Sequence, residues 1–229
     1  MDRARDRAKH TPQDETPADR SEIQKGPRLL PSRRRLLQGA ALAAVPSALL
    51  TTHHAAAAPR AAESPSADVD YPSAVWVPAS TSNYTASNRP SSYPIDYVII
   101  HVTQETFADT LAIFKNPAKK VSAHYVVRSA DGHIAQCVRE RNVGWHAGNW
   151  SYNTRSIGIE HEGWVDQPEY FTDEMYEKSA ALTAAICKKY GIPKTREHII
   201  GHVEVPGTDH TDPGRYWDWS RYIRLVNFA

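Results

Sequence analysis

The sequence predicts an α/β fold: one mixed central β-sheet flanked by helices, in a single folded domain. Three observations predict it. Residues 97–102, Tyr-Val-Ile-Ile-His-Val, form a nearly continuous β-branched run, as a strand buried on both faces requires. Residues 124–128 and 134–138 flank the turn pair Asp131-Gly132, which reads as a hairpin of two antiparallel strands. A long helical stretch then opens at Thr172 and is stopped by Gly191 and Pro193. Strands alternating with helices bury their apolar faces against one another in layers.

The elements follow in order. After the first strand, residues 106–114 read as a helix, with Phe107, Leu111 and Phe114 on one stripe. Residues 156–161 alternate, placing Ile157 and Ile159 on one face and Gly158 and Glu160 on the other. In the long helix, Thr172 is the N-cap, Asp173 and Glu174 fill the first turn, and Lys188 and Lys189 the last. Residues 199–202 form a short strand leading into a Pro/Gly/Asp loop, and residues 216–228 a terminal helix. No internal repeat is visible.

The 229 residues divide unequally. The first 40 hold ten basic and six acidic residues, whereas residues 60–229 hold 17 and 20, so the formal net charge of +1 averages two unlike parts. Positive charge therefore concentrates in the least foldable segment rather than on a basic face, which argues against a nucleic-acid partner. Residues 1–31 have too few apolar groups to offset chain entropy and read as disordered. Next come Arg33-Arg34-Arg35, an apolar run over 39–50, and small residues over 55–58, the three parts of an export signal. Consecutive arginines are those of a twin-arginine signal. The apolar run is well short of the roughly 20 residues a bilayer span needs. The reading is thus residues 1–57 as a disordered N-terminus plus signal peptide, 58–70 as a linker, and 71–229 as the domain. The mature protein is expected outside the cytoplasm without stable membrane insertion. Cys137 and Cys187 are the two cysteines. In an oxidising compartment they could pair, in a crosslink worth about 4 kcal/mol by chain entropy, or they are two small buried hydrophobes.

Eight histidines fall in the folded part, and two of them close apolar strands. His101 ends one β-branched run and His202 the other, and Asp212 follows in a pre-proline loop. Two imidazoles and one carboxylate suit zinc, and three protein ligands leave the fourth position open, as catalytic sites require. Glu160, opposite the isoleucine pair, is the candidate general base, with Glu162 next on the same alternation as the alternative. His124 reads as structural, His133 and His161 as not ligands, and His198 as at best a neighbour of the site. The stretch 145–150 carries Trp145, His146, Asn149 and Trp150, aromatics and amides suited to a sugar face, or else a packed turn. Arg155 could pair with a carboxylate of the ligand, or be a surface arginine.

These motifs together resemble the type-2 N-acetylmuramoyl-L-alanine amidases, a family that includes phage amidases and animal peptidoglycan recognition proteins. The resemblance is carried by the strand-end His-x-Thr at 101–103, Val-Ser-Ala-His-Tyr at 121–125, Trp-His-Ala-Gly at 145–148, Ser-Ile-Gly-Ile-Glu at 156–160, and Gly201-His202 with Thr-Asp-Pro-Gly at 211–214. It implies the peptidoglycan recognition protein-like fold, one Zn²⁺ held by His101, His202 and Asp212, and Glu160 as catalytic glutamate. His210 takes the place where many members carry Lys or Thr at the oxyanion, so it either donates there or brackets the metal loop. Ala123 stands where phage enzymes have Tyr, which matches the branch relying on a glutamate, and Asp212 replaces the Cys of animal and phage members. The implied reaction is hydrolysis of the amide between the lactyl group of N-acetylmuramic acid and L-alanine, acting as a monomer on bacterial peptidoglycan or muropeptides. The competing readings are a non-catalytic peptidoglycan-binding module and a zinc hydrolase of another amide.

Overall fold

The computed structural model describes residues 69–229, so the export signal and nearly all of the 58–70 segment lie outside the described residues. Among the described residues there are eight strands: β1 (Ala74–Trp76), β2 (Tyr84–Thr85), β3 (Tyr97–Val102), β4 (Tyr125–Val127), β5 (Ile134–Gln136), β6 (Val143–Gly144), β7 (Ser156–His161) and β8 (Ile199–Gly201). Four α-helices accompany them: α1 (Phe107–Lys115), α2 (Trp150–Arg155), α3 (Asp173–Tyr190) and α4 (Trp219–Phe228). Six strands form one mixed sheet in the order β1-β5-β4-β7-β3-β8, and β2 pairs with β6 in a small antiparallel ribbon. Within the main sheet only β4–β5, the expected hairpin, is antiparallel.

The β-branched run becomes β3, flanked by β7 and β8. Its two faces differ in consequence. Val98 and Ile100 point to the side covered by α3 and α4, where Ile157, Ile159, Met175, Leu182, Tyr222 and Val226 complete the main core. Ile99 and His101 point to the other side, which α1 covers further along by packing Phe114 on Val126 and Ala135.

Helix boundaries follow local chemistry. Thr106 and Thr172 cap α1 and α3, their hydroxyls accepting from the backbone N–H groups of Asp109 and Met175, each cap worth about 1 kcal/mol. Gly191 ends α3 in the left-handed conformation, φ 70°. The last helix starts at Trp219 rather than 216 because Asp218 caps it, accepting from the Arg221 N–H. The hairpin strands stop short of Cys137 because the Cys137 and Val138 N–H groups both turn onto the His124 carbonyl. Packing reaches back to Asp70, whose carboxylate accepts from Gln136 and from the Glu140 N–H. Cys137 and Cys187 are free and buried in clusters on opposite faces of the sheet, so of the two expectations the pair of small hydrophobes holds.

Candidate metal centre and active site

Three parallel strands, β7, β3 and β8, end at the same edge of the sheet, the usual position for a ligand site in α/β folds. His101 lies near the end of β3, Glu160 near the end of β7, and His202 directly follows β8. Register fixes their common face, since His101 pairs with Glu160 and Ile99 with both Gly158 and Ile200. Asp212 arrives from the loop, which is tied down by two hydrogen bonds: Val203 N–H donates to the Asp212 carbonyl, and Val102 N–H to its carboxylate.

The resulting cluster is compact and buried. Asp212 Oδ2 is 3.2 Å from His101 Nδ1, and Oδ1 is 3.2 Å from His202 Nδ1. One donor atom from each of the three residues lies within 4.8 Å of the others. Among the described residues no other group of histidine, cysteine or acidic side chains converges in this way. Two buried polar atoms of the residues around it have no hydrogen-bond partner, Glu160 Oε2 and His202 Nε2. Two imidazoles and a carboxylate gathered in this way are a donor set able to hold a divalent cation, and an unpaired carboxylate oxygen lies in the same cavity.

Electrostatics agree with that description. Burial pushes the Asp212 carboxyl upward, but the His101 and His202 rings beside it outweigh this and hold it below the usual carboxylate range. The Glu160 carboxyl is raised well above its ordinary value, first by burial and then by the charge of Asp212. Burial likewise lowers His101, opposed by the Asp212 carboxylate beside it.

The cluster opens into a cavity of about 850 Å³. His101, His202, Asp212 and Glu160 line it, and α1 contributes Thr110, Ile113 and Phe114. His210 stands at the mouth, exposed, stacked on the His202 ring at 4.1 Å with its Nδ1 3.5 Å from Asp212. Trp145, His146 and Trp150 line the cavity, Trp150 with an exposed ring.

Two residues expected to meet a ligand do not line it. Asn149 caps α2, its side-chain oxygen accepting from Tyr152 N–H and its amide donating to the Pro206 carbonyl. Arg155 is held by Asp96, Nε to Oδ2 at 2.7 Å, and lies over the Tyr97 ring, so it is a surface ion pair. The alternative base is also excluded by its bonds: both carboxylate oxygens of Glu162 accept backbone N–H groups, from Phe107 and Ser129. His161 faces the α3 side, bonded to the His101 carbonyl and to Ser179. His198 bonds the Asp96 carbonyl and His124 the Gly158 N–H, both away from the cluster. Sequence reasoning missed Lys120 and also the α1 residues in the cavity wall, the latter because an amphipathic helix stripe reads as core.

Comparison with known proteins accounts for this arrangement. Residues 91–215 match the family described as N-acetylmuramoyl-L-alanine amidase. N-acetylmuramoyl-L-alanine amidase A of Achromobacter lyticus is 38% identical over 177 residues, covering 69% of this chain and 96% of that protein. The 1,6-anhydro-N-acetylmuramyl-L-alanine amidase AmpD of Haemophilus influenzae is 40% identical over 114 residues, and the match spans 47% of this chain and 59% of the relative. Among solved structures, a crystal structure of a selenomethionine derivative of AmpD superposes with a TM-score of 0.57 at 30% identity, over 67% of this chain and 94% of the other. The Escherichia coli amidase AmiD shares the fold, at a TM-score of 0.50 and 24% identity, over 62% of this chain and 65% of that one. Fold, buried cluster and sequence match converge: the chain belongs to the N-acetylmuramoyl-L-alanine amidase family of amide hydrolases.

Proposed function

We propose that the protein is an exported, zinc-dependent amidase that cleaves the bond between the lactyl group of N-acetylmuramic acid and L-alanine in bacterial peptidoglycan or muropeptides. One observation carries the reading: His101 Nδ1 and His202 Nδ1 meet the Asp212 carboxylate in the cavity that the unpartnered Glu160 also lines. In this reading those three residues hold the zinc. A zinc ion so held supplies Lewis acidity, which polarises the scissile carbonyl and acidifies water.

The remaining steps fall to the chain's own groups. Glu160, within the same cavity, takes a proton from the attacking water as its oxygen bonds to the lactyl carbonyl carbon. The same carboxyl returns that proton to the departing nitrogen as the C–N bond breaks, freeing the L-alanine amine. A carboxyl whose affinity for protons is raised by burial suits this two-way role. His210, exposed and facing the cavity, donates to the carbonyl oxygen as negative charge develops. Trp145 and the exposed Trp150 offer flat apolar surfaces for a sugar ring. The assignment of substrate is supported by the names of the relatives, all amidases of N-acetylmuramyl-L-alanine bonds.

Export rests on the Arg33-Arg34-Arg35 signal with its apolar run and small-residue exit. Among the described residues no helix is long and apolar enough to cross a membrane. The protein acts as a monomer, without a nucleic-acid partner. Digestion of purified peptidoglycan followed by mass analysis of the products tests the proposal. Free stem peptides with an unmasked L-alanine amine are expected; cuts confined to glycosidic or interpeptide bonds would reject it.

A further inference from the structure

His146 sits in the middle of a hydrogen-bonded series whose proton positions can be deduced. The Ser156 hydroxyl donates to the Tyr152 carbonyl at 2.6 Å, which uses its single proton. Toward His146 Nε2, 3.3 Å away, Ser156 can therefore only accept, so that nitrogen carries a hydrogen. A neutral imidazole has one N–H, which leaves His146 Nδ1 as an acceptor. Its partner at 3.0 Å is His101 Nε2, which must then be the protonated nitrogen of His101. The lone pair of His101 is thereby assigned to Nδ1, the atom 3.2 Å from Asp212. A lone pair facing a carboxylate at that distance is repulsive until a cation lies between them.

We propose that His146 is a positioning residue, which with Ser156 sets the tautomer and ring orientation of His101 so that Nδ1 is presented to the metal. This rests on the reading of His101 as a metal ligand. The ring is built in from every side. It is 5% exposed, and the His146 and Ala147 N–H groups both donate to Asn153 Oδ1, which fixes the backbone. The His101 and His124 rings meet it edge-on at 5.0 and 5.6 Å. Beneath it lies Gly158, where an added Cβ would fall 2.6 Å from the imidazole Cγ. The glycine of Ile157-Gly158-Ile159-Glu160 is thus the floor of a seat for His146, beside the strand position that carries Glu160. Such fixing of a ligating histidine by its other ring nitrogen typically changes metal affinity by about 10- to 100-fold when removed.

The test compares zinc dissociation constants of the wild type, His146→Leu and His146→Asn, by competition with a chromophoric chelator, and reads the His146 tautomer from long-range ¹H–¹⁵N spectra of the zinc-loaded wild type. His146→Leu is expected to weaken zinc binding by about tenfold or more. His146→Asn puts Oδ1 where Nδ1 was, keeps an acceptor for His101, and is expected to restore most of that affinity. The spectrum should show His146 protonated on Nε2. Protonation on Nδ1, unchanged affinity in the leucine variant, or no rescue by asparagine overturns the relay. A wild type that binds no zinc overturns the metal reading and this inference with it, and is distinguishable from the other outcomes. The wild-type spectrum decides the matter even if the leucine variant fails to fold.

Discussion

His101 on β3 is the direct register partner of Glu160 on β7, so the pairing of two parallel strands sets a carboxylate beside an imidazole of the proposed metal site without any loop intervening. A site carried on paired strands holds its geometry better than one carried on loops. Glu160→Gln keeps the shape and volume of the side chain but cannot accept a proton. It is expected to lower kcat by about 10²- to 10⁴-fold, the usual contribution of a positioned acid–base group, with zinc content unchanged by elemental analysis. Full turnover in this variant would move the base elsewhere.

Metal removal should act on both chemistry and stability. The cluster joins the ends of two strands to the 203–212 loop, and two buried imidazoles face one carboxylate there. Dipicolinate is expected to abolish hydrolysis and lower Tm, with both restored by added zinc, since a ligand bound only by the folded state stabilises it. His202→Ala should lose zinc and activity together. Activity that survives the chelator, in protein free of metal by elemental analysis, is the contrary result.

The parts of this architecture that could be read from sequence are those whose cause is local. The β-branched run at 97–102 and the alternation that separates Ile157 and Ile159 from Glu160 depend only on neighbours along the chain, and both appear as expected. The short strands β1, β2 and β6 carry too few positions for any period to show and, unlike β4 and β5, are not joined by an Asp-Gly turn that marks a hairpin. Side-chain partnerships across long separations were illegible for the same reason. Arg155 could not be matched to Asp96, 59 positions away, nor Glu162 to the N–H groups of Phe107 and Ser129 that occupy its oxygens. The sequence leaves His146 open between a ligand-binding loop and a packed turn, because the space that receives it is made by the absence of a side chain at Gly158.

The cysteines offer a simple check on the fold. Burial pushes the Cys137 thiol up to about 12 and that of Cys187 up to about 11, and the two lie on opposite sides of the sheet. Neither is a thiolate at neutral pH, and no rotation could join them. Aromatic disulfide reagents are expected to find no reactive thiol in the native protein and two in denaturant, without prior reduction. Reductant should leave Tm unchanged. Finding no thiols in unreduced, denatured protein would show a disulfide and require a different packing of α3.

Stability should fall in mild acid because several histidines are buried neutral, His161 and His124 among them. Burial is the main cause that lowers His161 and His124 from 6.5 to about 3, and in His124 the Arg89 charge acts in the same direction. His161 is satisfied as a neutral ring, bonded to the His101 carbonyl through Nδ1 and to the Ser179 hydroxyl through Nε2. An unfolded chain protonates these rings near pH 6.5 whereas the native one resists until about pH 3, so in that interval the unfolded state binds more protons. The stability they contribute is therefore complete above 6.5 and is lost progressively as pH falls toward 3. Denaturant titrations between pH 7.5 and 4.5, with chelator present so that metal release adds nothing, should show this slope. His161→Gln is expected to be less stable throughout, yet with a pH slope shallower by about one proton in the acid part of the range. Parallel slopes in the two proteins would mean that His161 is not held neutral.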